Sequence, residues 1–157
     1  MNALVIYYSQ FGNTRQVAEA IAGVLKKEGP ARALSAEQLA AADLEGIDLV
    51  VMGTPTYKMN LPEAVRPLFE NLPRRVLRGV STAAFDTSYE MSGFLARLTA
   101  ARRIDAKLRK LGGKRLVPAE TFHVEHHHEG PLLEGEIERA RRWAGTILER
   151  VVERNRA

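Results

Sequence analysis

Along the chain, short continuous apolar runs alternate with longer runs in which apolar residues recur every three or four positions. Met1–Tyr8 is the first continuous run, rich in β-branched and aromatic residues, and it predicts a strand buried on both faces. Asn13–Glu28 follows with Val17, Ile21, Val24 and Leu25 on one helical face, and Gly29–Pro30 ends it. Ala31–Leu34 predicts a weak second strand, and Ser35–Ala42 a short helix with Ser35 as its N-cap. Asp48–Gly53 predicts a strong buried strand. Leu61–Leu72 predicts a helix with Leu61, Ala64, Val65, Leu68, Phe69 and Leu72 facing the core, opened by a capping box of Asn60 and Glu63 and kinked or shortened by Pro67. Gly79–Phe85 predicts another strand, Phe94–Leu111 a helix closed by Gly112–Gly113, and Lys114–Val124 a strand at the sheet edge because Pro118 interrupts it. Leu132–Val152 predicts the last helix.

This β-α alternation, with continuously apolar strands, predicts an α/β fold: a parallel sheet covered by helices on both sides, in three layers. With 157 residues, no internal repeat and no linker-like stretch, residues 1–157 are expected to form a single domain. No apolar run reaches 18 residues, so no membrane span is expected, and the N-terminus lacks the basic segment and cleavage site of a signal peptide. The absence of cysteine excludes disulfides and thiolate chemistry and fits a cytoplasmic location.

In such a sheet, ligands bind beyond the carboxyl ends of the strands. Three polar loops are predicted there: Ser9–Thr14, Thr54–Asn60 and Asp86–Gly93. In the first, "SQFGNT", Gly12 permits a tight bend, the helix beginning near Asn13 presents free backbone N–H groups, and Ser9, Asn13 and Thr14 add side-chain donors. That chemistry suits a phosphate. It equally serves a plain helix cap with a turn glycine, and it matches neither the nucleoside-triphosphate loop nor GxGxxG.

"YSQFGNT", "MGTPTY" and "DTSYEMSG", in that order and each at a strand's end, resemble the three flavin loops of the flavodoxins. "KLRKLGGKRLV" and the closing helix fit the same order, so the resemblance spans nearly the whole chain; the length matches the short-chain members. It implies a doubly wound five-stranded sheet of order 2-1-3-4-5, a non-covalently held FMN, and a role as an electron carrier. By the same resemblance, Ser9, Gln10, Phe11, Gly12, Asn13 and Thr14 would cradle the FMN phosphate, and Thr54, Pro55 and Thr56 would contact the ribityl chain and phosphate. Tyr57 would lie against the inner flavin face and Tyr89 against the outer one, while Asp86, Thr87 and Ser88 would hydrogen-bond the pyrimidine edge. Flat phenol rings on two converging loops are natural partners for a planar heterocycle. Two other readings stand beside the carrier. One is a flavodoxin-like oxidoreductase of the quinone reductase or protoporphyrinogen oxidase type, with Met59, Met91 and Phe94 lining a substrate groove. The other is a binding module that kept the fold and lost FMN. No nucleophile–base constellation is visible.

The chain departs from the resemblance in charge. It carries a formal +4 and a pI near 9.6, whereas well-studied flavodoxins are acidic. The expected redox partner therefore has an acidic docking surface, or is met at an anionic membrane surface. Basic runs at Arg74–Arg78, Ala101–Lys110 and Arg139–Trp143 have acidic neighbours and read as solvated faces, so no nucleic acid is expected as a partner. Lys58 stands where flavodoxins often have a Gly whose peptide turns its carbonyl toward flavin N5. Lys adopts positive φ reluctantly, so the neutral one-electron-reduced flavin should accumulate less. Lys58 either faces the N1/O2 edge of the ring or simply caps the loop. His123, His126, His127 and His128, with Glu125 and Glu129, have zinc-, copper- or nickel-binding chemistry. Adjacent residues of an extended stretch alternate in direction, however, so a solvated loop near the flavin rim is expected rather than a metal site.

Overall fold

The computed structural model describes residues 1–57, 60–91, 99–125 and 129–157. The strands are β1 (Ala3–Tyr7), β2 (Ala31–Ser35), β3 (Leu49–Pro55), β4 (Ser81–Tyr89), β5 (Lys114–Arg115) and β6 (Glu120–Val124). The helices are α1 (Asn13–Leu25), α2 (Arg66–Asn71), α3 (Ala100–Lys110) and α4 (Glu136–Arg156). One sheet takes the order β2-β1-β3-β4-β5, with β6 also on β4, and its pairings are parallel. This is the predicted 2-1-3-4-5 sheet with its fifth position in two pieces: β5 lies beside Ser81–Thr82 and β6 beside Phe85–Tyr89. Pro118, which has no N–H to give a ladder, falls in the gap between them.

Side chains of successive strand residues point to opposite faces, and both faces are buried here. Ala3, Val5, Leu49, Val51, Phe85 and Phe122 pack with α1 and α4. Leu4, Ile6, Val50, Met52 and Ala84 pack with α3 and the segment before β4. A sheet covered on both sides is why these strands read as unbroken apolar runs. Beneath the sheet, Phe85, Phe122 and Trp143 meet edge to face, with ring centroids 5.9–6.1 Å apart. Gly53 of β3 lies against this cluster: a Cβ added there would come within 2.1 Å of the Phe85 ring.

Several boundaries differ from expectation for local reasons. The first helix tightens to a 3-10 turn at Lys26–Glu28, and the predicted Ser35–Ala42 helix is two 3-10 turns, Ala36–Gln38 and Ala41–Leu44; Ser35 Oγ does accept the Glu37 N–H, at 3.3 Å. The predicted Leu61–Leu72 helix is a 3-10 turn at Glu63–Val65 followed by α2. Pro67 falls in the first turn of α2, where a missing N–H costs nothing. The capping box does not form: Asn60 Oδ1 accepts the Leu61 N–H at 2.8 Å, and the Glu63 carboxylate pairs with Arg66. The last helix starts at Glu136 rather than Leu132, because Leu132 forms an antiparallel bridge to Val124. The predicted helix start at Phe94 lies outside the described residues.

The outer edge of β6 is closed by the segment that follows it. His123 donates its backbone N–H to the Glu136 carboxylate at 2.6 Å and accepts the Leu133 N–H at 2.9 Å; Arg139 donates to the Thr121 carbonyl. Burial disfavours the Glu136 charge, but hydrogen bonds from Arg139 and the His123 N–H outweigh it and hold that carboxyl below its ordinary range. Among the described residues, no helix is long and apolar enough to cross a membrane.

Candidate functional site

The three loops expected to meet do meet, at the carboxyl ends of β1, β3 and β4. Each pair is joined by a side-chain hydrogen bond. Thr14 and Thr87 share their hydroxyls at 2.8 Å, linking the first loop to the third. Tyr57 donates its phenol to Gln10 Oε1, linking the second to the first. Thr56 donates its hydroxyl to Asp86, and its backbone N–H reaches the Thr87 carbonyl at 3.0 Å, linking the second to the third.

The first loop has the chemistry that an anion site uses. Gly12 is the N-cap of α1 at φ +96°, and no atom lies within 4 Å of where its Cβ would be, so backbone and ligand can approach closely there. Ser9 Oγ accepts the Gly12 and Arg15 N–H groups at 3.1 and 3.3 Å, folding the loop around the helix start. Asn13 and Thr14 are buried, whereas Gln10 and Phe11 are exposed. Ser9–Thr14 contains no carboxylate to repel a phosphate.

In the second loop, Thr54, Pro55 and Thr56 are buried at the end of β3 and Tyr57 is half-buried. Reciprocal backbone bonds of 2.9 and 2.7 Å join Tyr57 to Asn60. Burial, with Tyr8 nearby, pushes the Tyr57 phenol pKa up, so the ring is neutral at physiological pH. Lys58 and Met59 lie outside the described residues.

The third segment differs most from expectation. The sequence predicts a loop from Asp86, but β4 runs on to Tyr89. Thr87 faces α1, so Asp86 and Ser88 face the α3 side. Asp86 is fully buried, and its two oxygens accept from Thr121, at 2.6 Å, and from Thr56. Thr56 Oγ1 in turn accepts the Ala100 N–H at the start of α3, at 2.9 Å. Burial raises the Asp86 pKa to about 6 against the opposing hydrogen bonds from Thr121 and Thr56. The Asp86 and Thr87 side chains, expected at the rim of a ligand, therefore clasp the loops to one another. Ser88 is also buried and donates to the Tyr89 carbonyl at 3.2 Å. Of these four residues only Tyr89 is exposed, by 37%.

Sequence reasoning missed Thr121 and the turn Glu129–Gly130. Asn13 Nδ2 donates to the Glu129 carbonyl at 3.0 Å, across 116 residues. Of the histidine run, His123 is described and its ring Nδ1 is buried with no hydrogen-bond partner among the described residues; His126, His127 and His128 lie outside them. Among the described residues, no three His, Asp or Glu side chains are grouped as a metal ion would require. A cavity of about 510 Å³ lies at the opposite end of the sheet, beside Asp48, Arg78 and Arg154.

Fold and loops together define a doubly wound α/β protein in which a glycine-capped helix start and two tyrosines lie on loops at the carboxyl ends of the strands. The family model described as Flavodoxin matches residues 5–143. The chain belongs to the flavodoxin family. A curated relative, a flavodoxin from Clostridium saccharobutylicum, is 26% identical over 96% of this chain and 98% of its own. Among solved structures, a flavodoxin from the domain Archaea superposes with a TM-score of 0.75 at 23% identity, covering 96% of this chain and 99% of that one. Oxidised Flavodoxin 1 from Bacillus cereus gives 0.75 at 18% identity, over 95% and 98%.

Proposed function

We infer that the FMN of this flavodoxin-type electron carrier is held by the three clasped loops. Its phosphate is taken by the Ser9–Thr14 loop and the first turn of α1, through backbone N–H groups and the Ser9, Asn13 and Thr14 side chains. Thr54, Pro55 and Thr56 border the ribityl chain, and Tyr57 and Tyr89 flank the ring. Asp86, Thr87 and Thr121 act one step back, fixing the loops that touch the cofactor. The observation that carries this reading is the set of direct hydrogen bonds joining each loop to the other two. The donor set fits the group: neutral hydroxyls and amides around a glycine-capped helix start, beside two phenol rings. When bound, FMN supplies the electron-transfer chemistry; the chain binds it, orients it and sets its electrostatic surroundings.

The finer parts of the reading follow the charge. A chain of net +4 pairs best with a redox partner whose docking surface is acidic. A cysteine-free chain is suited to the cytoplasm, and the single sheet supports treating residues 1–157 as one domain. Titration of the apoprotein with FMN, read by absorbance and calorimetry, tests the cofactor assignment. A yellow one-to-one complex is expected; absence of association at millimolar FMN would refute it. Steady-state assays with NAD(P)H and quinones separate the carrier from an oxidoreductase, the carrier showing no turnover on its own.

A further inference from the structure

The turn Glu129–Leu133 is fastened at its base: Glu125 N–H to the Pro131 carbonyl and Leu133 N–H to the His123 carbonyl, each at 2.9 Å, with the Val124–Leu132 bridge between them. Its tip rests on the first residue of α1. The Glu129 carbonyl takes an N–H of the Asn13 amide, which fixes which way that amide faces. Gly130, at φ +93°, lies so close that an added Cβ would sit 2.5 Å from both Asn13 Nδ2 and Oδ1 and 2.8 Å from its Cγ. Asn13 is only 7% exposed, so its side chain has little room to give way.

We propose that this turn is a fourth wall of the cofactor site and sets its preference for a phosphorylated flavin over the unphosphorylated one, by holding Asn13 in the phosphate cradle. The inference rests on the assignment of the phosphate to the Ser9–Thr14 loop. Asn13 opens α1, so its peptide belongs to the set of amides facing the anion, and its orientation matters only to a ligand that carries one. Gly130 and the Glu129 carbonyl are positioning groups that act through Asn13.

The test is a double-mutant cycle read with two ligands, FMN and riboflavin, alongside the melting temperature of each apoprotein. Gly130→Ala is expected to weaken FMN binding about 10- to 100-fold, the effect of disturbing hydrogen bonds to a charged group, and to leave riboflavin affinity unchanged within about threefold. Asn13→Ala is expected to do the same. It also vacates the space that the added methyl needs; the strain of a side chain at positive φ remains in both backgrounds and is read by the melting temperatures, so Asn13→Ala/Gly130→Ala should bind FMN no more weakly than Asn13→Ala alone. If Gly130→Ala does not fold, the comparison of Asn13→Ala with the double variant carries the test. Equal losses for both flavins, wild-type FMN affinity in Gly130→Ala, or losses that multiply in the double variant would each overturn the inference and leave the FMN assignment standing. A wild-type chain that binds riboflavin as tightly as FMN would overturn the phosphate assignment and this inference with it.

Discussion

Replacing Asp86 by Asn isolates the cost of a buried charge at the centre of the clasp. Its carboxyl is fully buried, and its pKa rises from 3.8 to about 6. The folded chain therefore binds this proton more tightly than the unfolded one. Between about pH 4 and pH 6 the native state carries more protons here, so the Asp86 contribution to stability falls as pH rises through that window. Below pH 4 the carboxyl is neutral in both states and costs nothing; above pH 6 the full penalty stands. A shift of about two units corresponds to about 3 kcal/mol. Asn has the same shape, stays neutral, and can accept from one threonine and donate to the other. The charge-assisted bonds from Thr56 and Thr121 are already contained in that net shift, so about 3 kcal/mol is the pH-dependent part of the difference. Urea unfolding of both apoproteins at pH 4, 5, 6 and 7 reads the difference, in which groups remote from Asp86 cancel. Relative to wild type, Asp86→Asn should become more stable with rising pH, by about 2–3 kcal/mol across the window. Parallel profiles, or a difference running the other way, would show that the carboxyl is not penalised by burial.

Three further outcomes follow from the same geometry. Gly53→Ala forces a methyl into the Phe85 ring and should destabilise the chain by about 1–3 kcal/mol, read as a fall in urea midpoint with little change in slope. Tyr57→Ala removes the bond to Gln10 and one of the two rings proposed to flank the flavin, and should weaken FMN binding by about tenfold while Thr56 keeps its own loop in place. With a net charge of +4, addition of the second electron should occur at a less negative potential than in acidic flavodoxins; an equally negative value in potentiometric titration would count against that electrostatic argument.

The strands β1 and β3 were legible because both faces of the sheet are covered, and burial on two sides leaves an unbroken apolar signature. The same rule hid the end of β4. Asp86, Thr87 and Ser88 are polar, so they read as a loop, yet they are buried because Thr14, Thr56 and Thr121 satisfy Asp86 and Thr87. Those partners lie 30 to 73 residues away, and no local pattern announces them. Gly12 was legible as a turn glycine from its place between strand and helix, and it takes the left-handed conformation there. Gly130 reads only as a turn residue before Pro131; its contact with Asn13 exists once the fold has brought the two ends of the chain together. Pro67 was over-read as a helix breaker, since its ring is harmless in a first turn.

A sheet that ends in an open strand invites another chain to join it, and parallel sheets that lengthen in this way become insoluble assemblies. Here the β6 margin offers a newcomer little to grip. The main-chain groups of His123 and the Thr121 carbonyl are already taken by Leu133, Glu136 and Arg139 of the same molecule. Below them β5 is only two residues long, and both are exposed cations followed closely by Pro118. This margin of the sheet is thus sealed by the start of the chain's own last helix and the turn before it.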